Sequence, residues 1–74
     1  MSNDRENLTL GVIKALQSKT PSKISVHSDT QAELGQIAAG RMAAKYGAKA
    51  EDLTFVVIPE EEWNKYPVGA TVVP

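Results

Sequence analysis

The sequence predicts a small α+β domain in which one helix packs on one face of a three- to four-stranded sheet, in the order ββαβ with room for a short fourth strand. Three observations predict it. Residues 23–28 alternate between apolar and polar types, and residues 53–58 are rich in β-branched and aromatic types. Residues 28–47 carry the start and stop signals of a helix. The chain has 74 residues, so we expect residues 8–74 to form a single domain after a polar, flexible N-terminal segment, residues 1–7.

The first predicted element is a strand. Over residues 8–12 the even positions are apolar and the odd positions are polar or small, and this period of two favours a half-buried strand. A helix over residues 8–16 is the alternative and would give the order αβαβ. That helix puts Leu10 on the side opposite the other apolar residues, and Gly11 in its interior costs about 1 kcal/mol. We therefore predict a strand and keep the helix as the alternative.

A second strand is predicted after the turn that Pro21 imposes. In this strand Ile24 and Val26 face the core, and the polar residues between and beside them form a face in contact with water. That wet face consists of Lys23, Ser25 and His27. Because two strands flank one short polar turn, we expect an antiparallel hairpin.

A helix over residues 31–46 is the element with the strongest local signals. Ser28 with Gln31, and Thr30 with Glu33, match the spacing of a capping box. Gly47 is a suitable residue for ending the helix. The predicted buried stripe has a spacing of four residues and consists of Leu34, Ala38, Met42 and Tyr46. We expect it to pack on the strand residues Ile24, Val26, Phe55 and Val57.

Residues 53–58 are apolar on both faces and predict a buried central strand that ends at Pro59. Residues 60–67 then form either one helical turn or an ordered loop. A short last strand at the edge of the sheet is predicted over residues 68–73.

The composition excludes several kinds of chemistry. Cysteine is absent and there is one histidine, so disulfides, thiolate metal sites and two-histidine metal sites are excluded. Neighbours in a strand point to opposite faces, so His27 cannot form a triad with Ser28 and Asp29, and we interpret it as an exposed strand histidine. The glycines of residues 35–41 lie inside the predicted helix and do not form a phosphate loop. We therefore predict no enzyme activity, no catalytic residue, no metal and no cofactor.

The charge is unevenly distributed along the chain, although the net charge is −1. Residues 14–49 hold six basic and two acidic side chains, a sum of +4, and residues 50–74 hold one basic and five acidic side chains, a sum of −4. The basic residues provide the alternative prediction of a nucleic-acid-binding site, formed by Lys19, Lys23, Arg41, Lys45 and Lys49. We rank it lower because nucleic-acid-binding domains usually have a net basic charge.

The candidate protein-binding residues lie in one acidic segment with two aromatic residues: Glu60, Glu61, Glu62, Trp63 and Tyr66. Tryptophan and tyrosine are enriched at the energetic centres of protein interfaces. Trp63 has two interpretations that the sequence leaves open. It either caps the small core or forms part of an interface.

The function predicted from these features is a small module that binds and modulates another protein. A hairpin, a polar cap and an alanine-rich helix form a pattern similar to that of short accessory proteins of bacteriophages and plasmids, which bind a host protein. A homo-oligomeric structural protein, whose subunits complete one another's sheets, is a further alternative. No apolar run is long enough to span a bilayer and no signal peptide is recognisable, so we expect a cytoplasmic protein without a membrane partner.

Overall fold

The structure is a computed structural model that describes residues 3–73. It contains two helices, α1 (Asp4–Ser18) and α2 (Asp29–Met42), and two strands, β1 (Ser22–Val26) and β2 (Leu53–Val57). The helices pack against each other and against the strands around one hydrophobic cluster. The chain is therefore a small α+β domain, as predicted, with the order αβαβ.

The sheet has β1 at its centre. On one side β1 pairs in parallel with β2, with Ser22 opposite Leu53. On the other side lies the C-terminal segment, residues 67–73, which runs antiparallel to β1. Its backbone bonds include those from Ser25 N to Ala70 O (2.9 Å) and from Gly69 N to Ser25 O (2.9 Å). The segment forms one isolated bridge with β1 and takes the place of the predicted last strand. Within residues 3–73 the regular sheet has two strands, fewer than the predicted three to four.

The prediction of a strand at residues 8–12 is wrong. The predicted antiparallel hairpin and the predicted order ββαβ, which both depend on that strand, are wrong too. Residues 8–12 lie in α1, as does the part of the predicted N-terminal segment from residue 4 onward, while residues 1 and 2 lie outside the described residues. The buried residues Leu8, Val12 and Leu16 share one helical face, and Leu10 is 57% exposed. Gly11 is required in this helix because a Cβ atom there would collide with the backbone of Gly69. Close packing thus overrides the low helix propensity of glycine.

Helix α2 begins at one of the two predicted caps, Ser28, but it ends at Met42, four residues before the predicted end, and it buries a different face. The Ser28 hydroxyl accepts a hydrogen bond from Gln31 N at 3.2 Å, as expected for an N-cap. Leu34 is 45% exposed, whereas small residues face the core: Gly35, Ala39 and Ala43. A Cβ atom at position 35 would collide with the Phe55 ring. The predicted stripe is therefore wrong at Leu34, because the small residues let α2 lie close to β2, whereas its members Met42 and Tyr46 do pack against the core.

Ser25 is also placed differently from its prediction on the wet face. It is fully buried. Its hydroxyl donates a hydrogen bond to Pro67 O, and Ala70 N donates to the same hydroxyl at 3.2 Å. The C-terminal segment covers this side of β1 and supplies the partners that a buried hydroxyl needs.

Candidate protein-binding surface

The strands and helices give the molecule two ends of different charge. The connections between α1 and β1 and between β1 and α2 have only two or three residues, so both helices run antiparallel to the strands. The N-termini of the helices therefore lie at the carboxyl ends of the strands, where Gln31 Nε2 donates to Asp4 Oδ2 at 3.2 Å. The C-termini of the helices lie at the amino ends of the strands.

The half of the molecule at the carboxyl ends of the strands is acidic, and we call it the acidic end. It holds seven acidic and two basic side chains, a net charge of −5: Asp4, Glu6, Asp29, Glu33, Glu60, Glu61 and Glu62 with Arg5 and Lys65. The opposite half is the basic end. It holds six basic and two acidic side chains, a net charge of +4: Lys14, Lys19, Lys23, Arg41, Lys45 and Lys49 with Glu51 and Asp52.

The three glutamates of the acidic end form a short turn directly after β2. Ile58 N donates to Val26 O at 2.9 Å and extends the pairing by one residue, and Pro59 then turns the chain away. Glu60–Glu62 is a 3₁₀ turn, closed by the bond from Trp63 N to Glu60 O at 3.1 Å. All three carboxylates are exposed. The turn therefore presents a compact group of negative charge beside Trp63.

Trp63 lies outside the hydrophobic core and is 38% exposed. Its indole ring stacks on the imidazole ring of His27, with ring centroids 4.6 Å apart and planes 5° from parallel. Its Nε1 donates to Ile58 O at 2.9 Å. The ring is therefore held in one orientation while part of it remains accessible.

His27 contacts both aromatic-bearing positions of this surface, Trp63 and Tyr66. It is partly buried, unlike the exposed strand histidine predicted from the sequence. Its Nε2 lies 2.8 Å from Tyr66 O. A carbonyl oxygen only accepts hydrogen bonds, so Nε2 carries the proton that it donates. The His27 backbone N–H donates to Gln31 Oε1 at 2.7 Å and links the surface to the start of α2.

Tyr66 closes the acidic segment and is half-buried. The Lys65 ammonium lies 5.8 Å from the centroid of the Tyr66 ring, within the range of a cation–π contact. The five residues predicted to bind a protein thus lie at one end of the molecule: Glu60, Glu61, Glu62, Trp63 and Tyr66. Among residues 3–73, no three acidic or histidine side chains converge as they would around a metal ion.

The basic residues singled out by the sequence are distributed over the basic end. Lys19, Lys23, Lys45 and Lys49 lie near the C-termini of the helices and the start of the strands. Lys14 and Lys23 line a cavity of about 490 Å³ together with apolar residues of the C-terminal segment. Arg41 is separate from these lysines, because it lines a groove between α1 and α2 with Arg5.

No protein-family model, no curated protein and no solved structure matches the chain. In the described part of the chain, neither helix has the length and apolar character needed to cross a membrane.

Proposed function

We propose that this chain is a protein-binding module without catalytic activity, and that it binds a basic surface of its partner through its acidic end. The contact residues are Glu60, Glu61, Glu62, Trp63 and Tyr66. The observation that carries the proposal is the exposed Trp63 ring, which His27 and the Ile58 carbonyl hold in one orientation.

A fixed aromatic ring is well suited to binding because it loses little conformational freedom when a partner covers it. Tryptophan is also among the residues that most often dominate interface energies. The remaining exposed part of the Trp63 ring therefore supplies apolar contact area at low entropic cost.

The three carboxylates beside Trp63 determine the kind of partner. Complementary charge accelerates association and excludes surfaces of the same sign. An end with a net charge of −5 therefore favours a partner surface rich in lysine and arginine.

Affinity capture from a lysate of the native host, followed by titration of the captured partner, tests this proposal. We expect Trp63→Ala to weaken binding by about 30-fold, which corresponds to the loss of about 2 kcal/mol typical of an interface hot spot. The same variant should also lower the free energy of unfolding by about 1–3 kcal/mol, because it removes the stacked ring and leaves the buried Ile58 carbonyl without its hydrogen bond. Thermal denaturation measures that second quantity.

The charge contribution is tested by neutralising the glutamates of the turn. A variant with Glu60→Gln, Glu61→Gln and Glu62→Gln should bind more weakly, most clearly at low salt. The matched control carries Glu51→Gln and Asp52→Asn at the basic end and should bind as the unmodified chain does. Equal binding by both variants, together with full binding by Trp63→Ala, would refute the proposal.

A nucleic-acid-binding module is the second candidate, because the fold gathers lysines that are spread over residues 14–49 of the sequence at one end. The C-termini of both helices also lie at this end, and their partial negative charge opposes phosphate. Binding of a DNA or RNA duplex that falls steeply with salt, and that is lost when Lys19, Lys23, Lys45 and Lys49 are changed to glutamine, would favour this candidate.

A further inference from the structure

Helix α2 leaves one whole side open to solvent. Gly35 and Ala39 are buried against the core. The residues on the opposite side of the helix recur at spacings of three and four positions, and all of them are exposed. They are Thr30, Glu33, Leu34, Ile37, Gly40 and Arg41, and we call them the outer face of α2. Ile37 lies at the centre of this face, and the other members are arranged on both sides of it along the helix.

Two features of the outer face are unexplained by packing within the chain. Leu34 and Ile37 adjoin each other one turn apart and are 45% and 51% exposed. Gly40 lies one turn beyond Ile37, and a Cβ atom there would meet nothing within 4 Å. Glycine disfavours a helix interior, and here no close contact within the described chain requires it. A glycine beside exposed apolar residues leaves space for a second helix to approach closely.

The charged residues of the helices have opposite signs at the two ends of the helical layer. The first halves of α1 and α2 carry four acidic side chains and one basic side chain, a net charge of −3: Asp4, Arg5, Glu6, Asp29 and Glu33. The second halves carry two basic side chains, Lys14 and Arg41. On the outer face itself, Glu33 and Arg41 lie four residues before and four residues after Ile37. The face is therefore complementary in charge to an inverted copy of itself.

We infer that the outer face of α2 is a homodimer interface, in which the α2 helices of two copies pack antiparallel about a two-fold axis at Ile37. Ile37 then packs on Ile37 of the second copy, and Glu33 lies level with Arg41 of the second copy. The symmetry forms this charge contact twice, and antiparallel packing also opposes the two helix dipoles. Parallel packing would instead place Glu33 beside Glu33 and Arg41 beside Arg41. The charges thus select a second copy as the occupant and fix its direction.

This dimer leaves the surface around Trp63 accessible. Val26 faces the core on which the helices pack, so the next residue, His27, points to the opposite side of the sheet. The Trp63 ring stacks on His27 and therefore lies away from the outer face of α2. Self-association through α2 thus neither requires nor prevents the binding of a basic partner.

The mass of the full chain, measured by sedimentation at increasing concentration, tests the association. We expect the mass to rise from 8.0 kDa towards twice that value. Ile37→Lys should weaken the association by about tenfold or more, because two ammonium groups would face each other across the two-fold axis. The matched control is Val73→Lys, which changes an exposed apolar residue of the C-terminal segment and should leave the association unchanged. Thermal denaturation checks that both variants are folded.

An exchange of charges tests the antiparallel register. Glu33→Arg alone, or Arg41→Glu alone, places like charges together twice in the dimer, and each should weaken the association by about fivefold at low salt. The variant with both changes restores opposite charges between the copies and should associate as the unmodified chain does. In a parallel dimer, or in a contact elsewhere on the molecule, the second change would not reverse the effect of the first.

Disulfide formation locates the interface. The chain contains no cysteine, so Ile37→Cys introduces a single thiol beside the two-fold axis, where facing residues of two packed helices come within reach of a disulfide. On mild oxidation this variant should form an inter-chain disulfide faster than Val73→Cys does.

The inference is overturned by a mass of 8.0 kDa at every concentration, or by a dimer that Ile37→Lys leaves intact. It is also overturned if the double charge variant associates no better than the single ones, or if positions 37 and 73 form disulfides at equal rates. A monomer whose outer face binds a helix of another protein would contradict it as well.

Discussion

The Ser25 hydroxyl links the central strand β1 to the C-terminal segment that runs beside it. It is fully buried between β1 and the C-terminal segment and bonds to the backbone of that segment at Pro67 and Ala70. Removing one partner of a buried hydrogen bond leaves the other partner without water or protein to replace it. This single hydroxyl therefore connects residues that are more than 40 positions apart.

Removal of the Ser25 hydroxyl should lower the free energy of unfolding by a measurable amount. We expect Ser25→Ala to lower the free energy of unfolding by about 1–3 kcal/mol, the penalty for an unsatisfied buried polar group. Ser22→Ala is the matched control in the same strand, because the Ser22 hydroxyl is exposed and bonds only to the nearby Thr20 O. Urea denaturation checks both values. An equal effect of the two changes would show that the C-terminal segment does not cover Ser25.

The residues of the candidate surface are only partly predictable from the sequence. Glu60, Glu61, Glu62, Trp63 and Tyr66 stand out by composition, because two of the four aromatic residues lie beside three carboxylates. His27 does not stand out as part of this surface. It lies 36 positions from Trp63, and stacking across that separation depends on where the chain returns after β2, which no local pattern encodes.

At the scale of elements, local signals predict the positions of α2 and β2 in the sequence well and that of α1 poorly. The prediction that β2 is a buried central strand is wrong, because β1 is the central strand and Val57 of β2 is 46% exposed. The Ser28 cap and Pro59 act on their immediate neighbours and have the expected role or position. Gly47 has the expected left-handed conformation, but it ends a separate 3₁₀ turn, Ala44–Tyr46, because α2 already ends at Met42. In α1 the apolar residues over residues 8–12 fit a strand better than a helix, and so the local pattern favours the wrong element. The choice depends on the contact of Gly11 with Gly69, which is set by tertiary packing.

The face of α1 that is buried can be tested by the same substitution at two positions, Leu16→Ala and Leu10→Ala. Leu16 is fully buried and Leu10 is 57% exposed. We expect Leu16→Ala to lower the free energy of unfolding by about 2–5 kcal/mol through lost burial and a residual cavity. Leu10→Ala should change it by no more than about 0.5 kcal/mol. Similar losses from both changes, measured by thermal or urea denaturation, would favour the strand, in which positions 10 and 16 share a face.

At the scale of the whole molecule, the fold converts the uneven distribution of charge along the chain into an acidic end and a basic end. Along the chain, residues 14–49 sum to +4 and residues 50–74 to −4. In the fold, the first turns of α1 and α2 add their acidic residues to the glutamates that follow β2. The acidic end therefore gathers charge from three separate parts of the sequence, and its extent cannot be predicted without the topology.

We expect the C-terminal segment to be required for the whole fold. A variant that ends at Tyr66 leaves β1 with a single neighbouring strand and leaves the Ser25 hydroxyl without its partners. We expect this variant to lose its cooperative unfolding transition, since a small domain has little stability to spare. The control ends at Val72 and keeps the bond from Val72 N to Lys23 O, so it should melt as the full chain does. Circular dichroism during heating distinguishes the two outcomes, and a cooperative transition in the shorter variant would contradict the prediction.

The central position of β1 has a consequence for hydrogen–deuterium exchange. The Ser25 amide is bonded to Ala70 O in the interior, so its proton meets solvent only when the C-terminal segment separates from β1. Ile58 N bonds to Val26 O, so two alternations back along β2 the Phe55 amide points away from β1, and we expect its proton to exchange faster than that of Ser25. The Ser25 exchange rate therefore measures how often the C-terminal segment separates from β1, whereas the Phe55 rate measures the protection of an amide at the outer edge of β2.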